Sequence, residues 1–65
     1  MSHYDYIISQ QLSASDPPFY ALIMAAMRKA SSTNIDKLRF AFPDVYEELL
    51  QRYHAPGGRL ESDPS

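Results

Sequence analysis

The sequence predicts an all-α protein: a compact bundle of about four short helices followed by a disordered C-terminal tail. Three observations predict it. Nine residues from Phe19 to Met27 run without a charged or strongly polar side chain, between Asp16-Pro17-Pro18 and Arg28-Lys29. Apolar residues elsewhere recur at helical spacing, and no strand alternation, repeat or heptad series interrupts them. Capping residues and prolines divide the chain into short segments.

The first helix begins at Ser2, with Asp5 three residues on in the position of a capping-box acid. Tyr4, Ile7, Ile8 and Leu12 follow at the i, i+3, i+4, i+8 spacing of one helical face, which the reading packs onto the central helix; Tyr6 points away and is expected at the surface. Ser13 to Pro18 forms the first break, because consecutive prolines do not sit inside a helix and the residue before a proline leaves the α region. So short a connection predicts that the first two helices are antiparallel neighbours or steeply crossed.

The central helix starts after Pro17-Pro18, with Asp16 as the expected acceptor for its first free N–H groups. Phe19, Leu22, Ile23, Ala26, Met27 and Ala30 form its inner side. Tyr20, Ala21, Met24 and Ala25 leave the opposite side nearly apolar too, so this helix asks to be covered on more than one face. Ala30 to Asn34 makes the second break, with Thr33 and Asp36 spaced as a capping pair. Ile35, Leu38 and Phe42 then form a stripe, with Lys37 and Arg39 beside it.

Pro43 splits the second half. Inside a helix it would cost about 3 kcal/mol, whereas at the first helical position it costs little, so a fourth helix is expected from Pro43 to about Tyr53. A kinked continuous helix is the alternative. Val45, Leu49 and Tyr53 are predicted inward with Tyr46 flanking them. Asp44, Glu47 and Glu48 in the first turns and Arg52 and His54 at the end both suit the helix dipole. Ala55-Pro56-Gly57-Gly58 stops it. A single helical domain over residues 1–56 and a flexible tail over 57–65 follow, the tail having Leu60 as its one apolar side chain after Gly58.

A chain of 65 residues has room for one domain and little stability to spare. With no cysteine, disulfides and thiolate metal sites are excluded, and self-association is the remaining common source of stability. No signal-like segment opens the chain and no apolar run approaches a membrane span, so a soluble, cytoplasmic protein with no membrane partner is expected. The net charge is −2, unevenly placed: basic residues gather from Arg28 to Arg39, acids from Asp44 to Glu48.

Catalytic and metal chemistry find no support. His3 and Asp5 diverge on a helix, and His54 reads as a C-terminal surface residue, so no metal or other cofactor is expected. The serines lie in caps and the tail, away from any strained turn near a histidine. Asp44, Glu47 and Glu48 are explained by the dipole, and Gly57-Gly58 precedes no helix. The expected protein is not an enzyme.

Two binding readings remain. In the leading one the outer side of the central helix, with Tyr20 and Met24 as first candidates, forms an adaptable apolar patch for a protein partner or a second copy of the chain. In the alternative, Arg28, Lys29, Lys37 and Arg39 around the second break make a helix-turn-helix-like nucleic-acid site. Against it stand the missing turn glycine, the short helix before Pro43 and the acidic balance.

Asp16 to Arg28, Phe42 to Leu49 and Arg52 to Gly58 together resemble short uncharacterised helical proteins of phages and bacterial mobile elements. That resemblance covers most of residues 2–58 and carries no assigned activity or catalytic residues. It implies a small accessory or regulatory protein acting on a host or element-encoded macromolecule.

Overall fold

The computed structural model describes residues 1–64. The fold is all-α: α1 (His3–Ala14), α2 (Phe19–Lys29), α3 (Ser32–Ala41) and α4 (Pro43–His54), then a 3₁₀ turn over Pro56–Gly58. No strand occurs among the described residues.

Local signals explain most boundaries. Ser2 Oγ accepts the Asp5 N–H at 3.1 Å while the Asp5 carboxylate accepts the Ser2 N–H at 2.8 Å, a complete capping box for α1. Pro43 opens α4, and Phe42 between the two helices has φ −133° and ψ 64°, which separates α3 from α4 and removes the continuous-helix alternative. Arg28 and Lys29 close α2, where cations suit the dipole.

Two caps differ from expectation. Asp16 does not cap α2; Pro18 stands at that position with no side-chain hydrogen bond. Instead Asp16 has φ 54° and donates its N–H to the Ser13 carbonyl at 3.0 Å, closing the end of α1. Asp16 thus belongs to the turn that leaves α1, with Pro17 and Pro18 between it and the first residue of α2. For α3 the cap is Ser31, not Thr33, and its Oγ accepts the Asn34 N–H at 3.4 Å. Ser31 is extended, with ψ 169°, and Thr33 and Asp36 lie inside the helix. The second break is therefore only Ala30-Ser31, and α3 starts two residues earlier than expected.

Packing centres on α4, which touches α2, α3 and the 3₁₀ turn, while α2 and α3 also meet each other. The apolar run of α2 is thus one wall of the structure and α4 its hub. The expected packing of α1 on α2 is not found: α1 approaches no other helix. On its stripe Tyr4, at 71%, and Leu12 are exposed, and Ile7 and Ile8 are half-buried. The stiff exit explains this, because Asp16 turns the chain and Pro18, at φ −59° and ψ 146°, holds it extended before α2 begins. Tyr6 is at the surface as expected.

Among the described residues Met27 is the one buried hydrophobic side chain, at 5% exposure. Ile23, Ile35, Leu38, Val45 and Leu49 around it are half-buried. Tyr53, expected inward, is 70% exposed, since the returning tail engages Arg52 in the last turn of α4. With α1 standing clear, the radius of gyration is 13.6 Å, against about 11 Å for a folded chain of this length. No helix is long and apolar enough to cross a membrane, among the described residues.

Where composition predicts a disordered tail, the chain after Gly58 returns to α4. Gly57 and Gly58 take φ 63° and 69°, the left-handed region that glycine enters without penalty. That reversal lets Arg52 donate to the Gly58 carbonyl at 2.8 Å and to both Asp63 carboxylate oxygens at 2.8 and 2.7 Å. The tether is polar, so an absence of apolar residues does not prevent it. Ser65 of the predicted tail lies outside the described residues.

Candidate protein-interaction surface

The start of α2 carries an aromatic cluster. Phe19 and Tyr20 meet edge to face with ring centroids 5.2 Å apart, and Phe19 also meets Phe42 of the α3–α4 junction at 6.1 Å. These geometries are favourable for aromatic pairs. Tyr20 remains 58% exposed and Phe19 is exposed beside it. Met24 follows Tyr20 by four residues, hence on the same side of the helix, and is half-buried. The structure therefore brings Tyr20 and Met24 together and adds Phe19, which the hydrophobic pattern assigns to the core.

A second apolar surface is a groove of about 380 Å³ between the three packed helices. Tyr46, Leu49, Leu50 and Tyr53 of α4 form one wall at i, i+3, i+4, i+7 spacing, and Met27, Arg28 and Ile35 form the other. Leu50 and Tyr53 are exposed at its rim. Phe40 of α3 stands apart, 90% exposed, over a hollow with Asp36, Arg39 and Pro43. Sequence reasoning passed over Phe40 and Leu50. Phe40 had a signal, being a large aromatic off the Ile35, Leu38, Phe42 stripe.

The four basic residues of the alternative reading line three different hollows. Lys29 and Lys37 share a hollow with Asn34 where α2 meets α3. Arg28 lies on the groove described above. Arg39 places its guanidinium 5.4 Å from the centre of the Tyr46 ring, a cation–π contact that engages its face.

Electrostatics concentrate at the tail. The Arg52 hydrogen bonds, followed by that of the Leu60 N–H at 3.0 Å, lower the Asp63 carboxyl from 3.8 to about 2. Arg52 is raised in turn, by its hydrogen bonds to Asp63 first and with Glu48, 3.5 Å away, contributing. His54 rests edge-on against Tyr53 with centroids 5.4 Å apart. Among the described residues no three His, Asp or Glu side chains converge as a metal site requires.

The chain matches no protein-family model, no curated protein and no solved structure.

Proposed function

We propose that this protein is a small, non-enzymatic accessory protein of the cytoplasm that works by binding protein through exposed apolar helix faces. One observation carries the reading: side chains that a short domain ordinarily buries are left in solvent. The surface is 5619 Å², against roughly 4,200 Å² for a folded monomer of this mass. Large exposed apolar patches of this kind mark interaction sites. The Phe19, Tyr20 and Met24 end of α2 is the first candidate, because edge-to-face packing holds its rings in place before any partner arrives. Solution mass across a concentration series, with capture of partners on immobilised protein, tests this reading. The double variant Tyr20→Ala/Met24→Ala is expected to weaken self-association or partner capture at least tenfold. Unchanged behaviour in both assays counts against the reading.

A second reading, binding to duplex DNA, draws on the hollow shared by Lys29, Lys37 and Asn34. Two neutralised phosphates would give a salt slope of only about −2, shallow for a dedicated DNA-binding protein, so this reading ranks second. Titration with mixed-sequence duplex at low salt decides it: no binding removes it, and binding lost in Lys29→Ala/Lys37→Ala would promote it.

A further inference from the structure

Two apolar surfaces on this chain lack partners, and each has the form the other needs. The first is the α1 stripe of Tyr4, Ile7, Ile8 and Leu12, on a helix that approaches no other. A helix of 12 residues is marginal in water without packing, since isolated helices need about 12–15 residues even in Ala-rich sequences. Nor does α1 have substitutes for packing. Its one formally charged side chain is Asp5, already engaged in the capping box, and its last turn carries no base. The second surface is the groove whose α4 wall is Tyr46, Leu49, Leu50 and Tyr53.

The dimensions agree. The stripe from Tyr4 to Leu12 runs about 12 Å along α1, and the wall from Tyr46 to Tyr53 about 10 Å along α4. The chain's own groove is not the partner: the turn at Asp16 and the extended Pro17-Pro18 carry α1 away from it.

We propose that the chain forms a two-fold homodimer in which α1 of each copy lies in the α2–α3–α4 groove of the other. A two-fold axis satisfies both surfaces on both chains at once and leaves neither open to a third copy. The area is right for it. The surface exceeds that of a folded monomer by about 1,400 Å² per chain, so two chains have about 2,800 Å² in excess, of which a stable interface needs about 1,200–2,000 Å². The dimer rests on the reading that exposed apolar surface meets protein, but it uses faces that do not include Tyr20 or Met24.

Light scattering on the full chain tests it, with circular dichroism reporting helix content for every variant. The wild type is expected at twice 7.4 kDa. Ile8→Glu/Leu12→Glu on α1 and Leu50→Glu/Tyr53→Glu on the groove should each lower the mass to that of one chain while α2–α4 stay helical. Mixing the two variants is the decisive arm. One chain then offers an intact groove and the other an intact α1, so a mixed dimer should re-form with one of the two contacts restored. A wild-type monomer, or a dimer unaffected by the α1 substitutions, overturns the exchange. So does failure of the mixture to re-associate, and so does one variant staying dimeric while the other dissociates, which would indicate α1 pairing with α1 or groove with groove. Tyr20→Ala/Met24→Ala should remain dimeric. If that variant alone dissociates the protein, exchange is wrong and the α2 patch is the interface.

Discussion

At φ 54° the Asp16 backbone occupies the left-handed region, where a Cβ crowds the following carbonyl and costs an ordinary residue about 1–2 kcal/mol. Asp bears this better than most, and glycine bears it freely. We therefore expect Asp16→Gly to hold or raise the melting temperature, by up to about 1 kcal/mol of stability. A residue acting as N-cap of α2 would lose a few tenths instead, so the sign separates the two roles. Asp63 makes the other prediction at this scale. Its carboxyl titrates in the folded chain at about 2, below its ordinary 3.8. The tether to Arg52 is therefore complete above about pH 4 and lost as pH falls towards 2. The amide resonances of Gly58 and Leu60 should shift across that window, and Asp63→Asn should show the released positions at neutral pH. Because this half-buried pair ties the tail to the last turn of α4 and joins no two helices, the helices should keep their content throughout. Neither role was legible beforehand. Asp16 fits a cap as well as a turn by residue type, and Arg52 finds Asp63 only once two glycines have reversed the chain.

Each helix was legible as an element because its signals lie within a few residues of one another. Ser2 with Asp5 and Pro43 after Phe42 are local arrangements, and the structure keeps both. The α3 start was misplaced by two residues because Thr33 and Asp36 match the capping-box pattern better than Ser31 and Asn34 do. The extended backbone at Ala30 and Ser31, which actually starts the helix, has no such signature. Helix α1 has the most complete cap and, among the described residues, packs on no other helix. Removing that cap in Ser2→Ala should cost about 1 kcal/mol, and with no intramolecular contact to compensate, the loss should fall on α1 itself. Helix content measured against protein concentration checks this. The variant should lose about one helix of signal when dilute and recover it at high concentration if α1 gains a partner there. Equal loss at every concentration would mean α1 stands alone.

The molecule as a whole rests on very little core. Among the described residues Met27 is the one side chain removed from solvent, at the place where α2, α3 and α4 converge. Truncating a buried methionine to alanine typically costs about 2–5 kcal/mol, a large share of the stability of so small a domain. Met27→Ala should therefore abolish cooperative unfolding of α2–α4, whereas Met24→Ala, half-exposed one turn earlier, should leave it measurable by thermal melting. The sequence by itself determined the class, the number of helices and most of their ends, because propensity, capping and proline geometry act over three or four residues. It also marked Tyr20 and Met24 as neighbours, since they stand one turn apart on a single helix. Only the tertiary structure decided that α4 rather than α2 is the hub, that Lys29 and Lys37 line one hollow and Arg28 another, and that α1 stands clear. An apolar stripe states that a face must be covered but carries no address for what covers it. The address comes from chain reversals such as Asp16-Pro17-Pro18, whose direction depends on backbone angles that residue type alone does not fix.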